Sequence, residues 1–130
     1  MSDLNTKHNR IVWCDIFVDD LDRACAFYEG VCNITCQRES FGDIRFAVLE
    51  HAEGNGGCLV PRQPGQSDSR WGGVLVYHNV DGRIRDAVQK VEALGGKVVQ
   101  DVHAIGPHGC RALIEDSEGN PMALHSTTDS

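Results

Sequence analysis

Apolar and polar positions along this chain follow two periods, one after the other. Residues 11–18, IVWCDIFV, are an apolar run of strand length broken once by Asp15. Asp19 and Asp20 follow it and suit a helix N-terminus, by side-chain capping and by charge. Leu21, Ala24, Cys25 and Tyr28 then fall at i, i+3, i+4 and i+7, the spacing of one buried helical face. The helix is expected to begin near residue 20 and to end at Gly30. Short strands are expected at about 32–38, 44–51 and 57–60, separated by the turn-rich segments SFGD and AEGNGG. The unit reads βαβββ.

After PRQPGQSDSR (61–70), whose Pro, Gly, Gln and Ser content marks a linker, the pattern repeats. GVLVYHNV (73–80) is a strand, Asp81 stands where a helix cap is expected, and Ile84, Ala87, Val88 and Val91 form a second stripe. Each member of that stripe lies 63 positions after its counterpart in the first, as Gly119-Asn120 does after Gly56-Gly57. Gly95-Gly96 stops the second helix, and strands follow near 97–103, 109–115 and 121–126. The constant register indicates duplication of one βαβββ unit. The expected fold is α+β: a single domain over 1–130, with module one at about 11–60, the linker at 61–70 and module two at about 72–126, giving eight strands. One unit alone exposes half its sheet, so the two must pair to close a core or to enclose a concave cup, the natural pocket.

Strand residues alternate faces, which assigns candidates to that cup. Cys14, Ile16 and Val18 suit the helix side of the first strand, leaving Trp13, Asp15 and Phe17 facing inward. In the fifth strand Val76, His78 and Val80 are placed on the helix side, and Leu75, Tyr77 and Asn79 in the cup. Asp15 is thereby an inward carboxylate between two aromatic residues. Desolvation there would raise its pKa toward the range of a general base or acid, and an ion pair with Arg45 or Arg111 is the structural alternative. Trp13, Phe17 and Tyr77 could stack on a planar ligand or fill a closed core.

Composition narrows the partners. Twelve Lys and Arg against nineteen Asp and Glu give a net charge of −7, with no basic cluster, so nucleic acid is not expected. No apolar run reaches the length of a membrane span, and the polar first ten residues do not resemble a signal peptide, so a cytoplasmic location is expected for a bacterial chain. Six cysteines are expected to be reduced thiols used in packing, and Cys32 and Cys36, spaced to share a strand face, make a poor zinc pair. His103 and His108 lie in HAIGPHG, expected to be a solvated loop.

The stretches DIFVDDLDRACAFYEGV, GGCLVP, HNVDGRIRDAVQKVEALGGKVV and CRALIEDSEGNPMALHS resemble the vicinal oxygen chelate superfamily. That group includes glyoxalase I, extradiol dioxygenases, methylmalonyl-CoA epimerase and the bleomycin and fosfomycin resistance proteins. The resemblance spans nearly the whole chain and implies the glyoxalase/bleomycin resistance fold, a homodimer and a small-molecule ligand. Metal-dependent members carry one ligand on the first and one on the last strand of each unit. The corresponding positions here are Trp13, Val60, Leu75 and Ala123, none of which can coordinate a divalent ion. No metal or other cofactor is therefore expected, and these four, with Phe17 and Tyr77, are expected to line an apolar ligand site. His125, two places past Ala123 on the same face, is a lone imidazole: either a hydrogen-bonded residue at the strand end or, with Asp15, a proton-transfer group. Three readings stand: a metal-free binding protein; a lyase, isomerase or dioxygenase-type enzyme using Asp15 or His125, with any divalent metal held elsewhere; and a structural domain whose cup is packed shut.

Overall fold

The computed structural model describes residues 6–66 and 69–130. The first strand, β1 (Ile11–Val18), leads into α1 (Leu21–Cys32), whose N-cap is Asp20, its carboxylate accepting from Arg23 N at 3.0 Å. Gly30 does not end this helix. Its place is open to solvent and tolerates glycine at about 1 kcal/mol, whereas a stop needs a residue able to turn left-handed. Asn33 supplies that turn at φ 57°, ψ 51°. Cys32 is consequently the exposed last residue of the helix and Cys36 the buried first residue of β2 (Cys36–Phe41), so the two share no strand face. A tight turn with Gly42 at φ 61° connects β2 to β3 (Ile44–Leu49), which precedes β4 (Gly56–Pro61).

Within the expected linker Pro61 closes β4, and Arg70–Gly72 form a 3-10 turn before β5 (Val74–Asn79). Ser67 and Asp68 lie outside the described residues, as do the first five of the expected leader. The second helix, α2 (Ile84–Val91), starts at Arg83 without a side-chain cap. Asp81 does not cap it, contrary to expectation, because the turn 80–83 sets it too far ahead of the first helical residue. Its carboxylate accepts instead from Thr127 N at 2.6 Å and Thr127 Oγ1 at 2.7 Å, which ties the C-terminal segment to that turn. Then come β6 (Lys97–Ala104), β7 (Cys110–Glu115) and β8 (Pro121–Ser126).

All eight strands form one mixed sheet in the order β2-β3-β4-β1-β5-β8-β7-β6. Each half has a parallel pair, β1 with β4 and β5 with β8, and the halves join antiparallel through β1 and β5. The strand order is therefore that of two equivalent modules about a pseudo-twofold axis. Both stripes pack as their spacing requires. Leu21, Ala24, Cys25 and Tyr28 meet Cys36, Ala47 and Leu59, while Ile84, Ala87, Val88 and Val91 meet Ala112, Ile114 and Leu124. Gly57 permits the close β1/β4 approach, since a Cβ there would stand 2.5 Å from the Cys14 carbonyl oxygen.

The face away from the helices carries a third cluster: Val12, Leu75, Tyr77 and Ala123, with Trp13, Phe17, Trp71, Ile105 and Leu113 packed on it. The sheet curls around this face. Phe41, at the end of the edge strand β2, lies against Gly106, which follows β6, although β2 and β6 stand at opposite ends of the strand order.

Candidate functional site

Register decides which residues of the concave face meet. Across β1 and β5, Trp13 lies opposite Tyr77 and Asp15 opposite Leu75; across β1 and β4, Asp15 lies opposite Cys58 and Phe17 opposite Val60; Tyr77 in turn lies opposite Ala123. Ile16 and Val18 pack instead with the α1 cluster. Trp13, Phe17, Leu75, Tyr77 and Ala123 therefore share one floor, with Val60 beside Phe17.

Asp15 sits in that floor at 7% exposure and is fully engaged. Its Oδ1 accepts from the Cys58 thiol at 3.1 Å and its Oδ2 from the Tyr77 hydroxyl at 2.7 Å. Arg111 Nη1 donates to Tyr77 Oη at 2.6 Å and stands 3.9 Å from Asp15 Oδ2. The guanidinium is held in turn by His103, whose Nε2 accepts from Arg111 Nε at 3.0 Å while Nδ1 donates to the Asp101 carbonyl at 2.8 Å. Burial raises the Asp15 pKa above the usual carboxylate value, even though Tyr77, Cys58 and Arg111 all favour the charged form. Burial and the neighbouring Asp15 charge likewise push the Tyr77 hydroxyl and the Cys58 thiol up, so both stay protonated and act as donors. His103 belongs to β6 and serves as the acceptor for Arg111; it is not a solvated loop residue.

His125 lies two places along β8 from Ala123, with none of its surface exposed. Its Nε2–H donates to the carbonyl of His108 at 2.6 Å, and Nδ1 is buried with no hydrogen-bond partner among the described residues. Burial lowers its pKa below the ordinary 6.5, because a protonated ring would carry an unpaired N–H and an unsolvated charge. The folded value is thus below the unfolded one, and the unfolded chain binds more protons between the two. The His125 contribution to stability is complete above about pH 6.5 and is lost as pH falls from there through the folded value. Urea midpoints measured from pH 7.5 to 5 should fall more steeply for the native chain than for His125→Gln. Parallel slopes would exclude a buried neutral His125.

Residues from distant segments complete the floor. Trp71, just after the expected linker at 61–70, packs on the floor cluster, and so does Ile105. Leu113 and Arg111 are brought in by β7, where Leu113 lies opposite Ala123 and Arg111 opposite His125. Alternation along β7 places them on one face, but only its pairing with β8 shows that this is the cup face. Two grooves lie elsewhere, one of about 360 Å³ between α2 and the β7–β8 turn and one of about 330 Å³ along β2 and β3. Neither contains Asp15 or its partners.

The sequence profile of the Glyoxalase/Bleomycin resistance protein/Dioxygenase superfamily matches residues 10–124. The chain belongs to this superfamily. Two mycobacterial relatives, from Mycobacterium bovis and Mycobacterium tuberculosis and each named "Putative glyoxylase CFP32", are 32% identical over 111 residues, 84% of this chain. The chain spans only 41% of their length. Among solved structures, a hypothetical protein from Bacillus halodurans C-125 superposes with a TM-score of 0.74 at 18% identity, covering 95% of this chain and 98% of that one. A variant of Streptomyces coelicolor methylmalonyl-CoA epimerase, in complex with 2-nitronate-propionyl-CoA, gives 0.64 at 20% identity over 94% and 99%. A superfamily member from Vibrio splendidus 12B01 gives 0.63 at 15% identity over 90% and 97%. These likenesses show the glyoxalase fold.

The superfamily's divalent metal does not fit the donors present. Trp13, Val60, Leu75 and Ala123 offer no oxygen, nitrogen or sulfur suited to coordination. Trp13 and Leu75 occupy one diagonal of the four-residue patch across β1 and β5. The other diagonal is the hydrogen-bonded pair Asp15 and Tyr77. Among the described residues no three His, Cys, Asp or Glu side chains gather closely enough to hold an ion.

Proposed function

We propose that the concave face binds a small organic molecule with a planar, apolar body, and that it does so without a divalent metal. The observation that carries this reading is the floor itself: Trp13, Phe17, Leu75, Tyr77 and Ala123 around the polar cluster Asp15–Tyr77–Arg111. Leu75, Tyr77 and Ala123 are themselves buried, so the half-buried Trp13 and Phe17 supply the stacking and apolar contact beside the polar cluster, the usual composition of a ligand site. Trp13 is the main stacking partner. Titration of Trp71→Phe protein with planar aromatic ligands should change Trp13 emission. Trp13→Ala should weaken binding by about 1–3 kcal/mol, roughly 5- to 150-fold in Kd. The Trp71→Phe background is required because Trp71 shares the floor. Unchanged affinity in Trp13→Ala would remove the floor as the site. Elemental analysis of purified protein should find no stoichiometric Ni, Zn, Fe or Mn; about one ion per chain, lost on replacing any histidine, would overturn the metal-free reading.

A second reading, a lyase- or isomerase-type enzyme, draws support from the raised pKa of Asp15, the property of a carboxylate poised to exchange protons. Asp15→Asn separates the two. A carrier retains binding, whereas an enzyme using Asp15 as base retains binding and loses turnover by about 100-fold or more. A homodimer also forms part of the proposal, since β2 and β6 each leave one edge of the sheet free for association. Light scattering at micromolar concentration showing a monomer would contradict it.

A further inference from the structure

Two hairpin tips that the pseudo-symmetry makes equivalent approach each other as the sheet curls. One tip is the β2–β3 turn, with Phe41 before Gly42; the other is the segment 105–109 between β6 and β7. They meet where the Phe41 ring lies on Gly106. The Phe41 ring lies so near Gly106 that a Cβ there would stand 3.0 Å from Phe41 Cε1, at a backbone φ of 69° that already favours glycine. Phe41 is nonetheless 56% exposed, so it rests on the opposite tip without being packed into a core.

The second tip reaches downward as well. Ile105 packs on the floor cluster of Val12, Leu75, Tyr77 and Ala123, and the His108 carbonyl accepts from His125 Nε2–H at 2.6 Å. Segment 105–109 thus meets the floor through Ile105 and the His108 carbonyl and the opposite tip through Phe41, while Gly109 abuts the backbone of Ser126 and Thr127. Within the segment, a backbone bond from Ile105 N to Gly109 O at 2.9 Å makes it a small self-contained unit.

We propose that Phe41 and segment 105–109 form a two-piece gate over the concave face, with Phe41 on Gly106 as its closing contact and the His125–His108 hydrogen bond as its latch. Parting of the tips widens access to the floor beyond what the half-buried Trp13 and Phe17 already have, and leaves the strand pairing of the sheet in place. Parting also frees His125, whose unpartnered Nδ1 then faces a site open to a ligand's hydroxyl or amine donor. The proposal rests on the ligand-binding reading for its purpose, but the gate can be tested without any ligand.

Acrylamide quenching of Trp13 in Trp71→Phe protein reads access of a small neutral solute to the floor. Phe41→Ala should raise the quenching constant at least twofold, and Phe41→Tyr, which keeps the ring, should restore the native value. His125→Gln, which retains a side-chain N–H for the His108 carbonyl, should be quenched less than His125→Ala. Hydrogen exchange over residues 103–110 should speed up in Phe41→Ala, with exchange in α1 unchanged, which separates opening of the gate from general destabilisation. An unchanged quenching constant in Phe41→Ala, or acceleration spread over the whole chain, overturns the gate. With 1-anilinonaphthalene-8-sulfonate as planar probe, Phe41→Ala should raise both association and dissociation rates. Faster quenching with no probe bound to either protein upholds the gate and counts against the ligand-binding reading alone.

Discussion

Replacing Asp15 with alanine is expected to lower the unfolding free energy by about 2–4 kcal/mol, whereas Asp15→Asn is expected to stay within about 1 kcal/mol of the native chain at pH 7. Alanine removes the acceptor for the Tyr77 hydroxyl and the Cys58 thiol and leaves the Arg111 guanidinium without its counter-charge. Asparagine keeps an acceptor for Tyr77 and eliminates a buried charge. The pH dependence is a second signature. The Asp15 pKa is raised in the folded protein, so the folded chain binds the extra proton, and its contribution to stability is complete below the unfolded value of 3.8 and lost as pH rises through the folded value. Above that range the native chain bears the cost of a buried carboxylate that Asp15→Asn does not. Urea unfolding of the three proteins at pH 4 and pH 7 measures both effects. Equal stabilities of Asp15→Ala and Asp15→Asn would mean that the cluster does not organise the floor.

Leu59→Ala should be the most damaging single truncation in module one, at about 2–5 kcal/mol. Leu59 has no exposed surface and stands where Cys25 of α1, Ala47 of β3 and Cys36 of β2 converge, so its loss leaves a cavity that three elements would have to collapse to fill. Leu94→Ala, at a side chain 75% exposed, is the control and should change stability by less than about 0.5 kcal/mol. The denaturation midpoint should shift for Leu59→Ala at constant m-value, since the folded surface hardly changes. A loss below 1 kcal/mol would show that this cluster does not support the module.

Leu59 and Asp15 differ in how far their surroundings can be read along the chain. The strand of Leu59 and the stripes of α1 and α2 are legible because helix and strand periods are local, and the 63-residue register repeats them. The alternation of β1 likewise places Trp13, Asp15 and Phe17 on one face. Sequence and structure part where a neighbour decides. Gly30 has the composition of a helix stop, but the left-handed turn comes from Asn33, three residues later. Asp81 has the composition of a helix cap, but Thr127, distant in sequence, offers its carboxylate better donors.

The sequence by itself determined the duplicated βαβββ pattern, the superfamily, the face shared by Trp13, Asp15 and Phe17 and the lack of donors at Trp13, Val60, Leu75 and Ala123, because each of these is a property of spacing or residue type along one segment. Tertiary structure alone decided that Arg111 rather than Arg45 serves Asp15, that His103 holds Arg111, that Trp71 and Ile105 cover the floor, and that Phe41 meets Gly106. The physical reason is that these contacts depend on inter-strand register and on the curl of the whole sheet. Both are set by the pairing of segments up to about a hundred residues apart, and no local period encodes them.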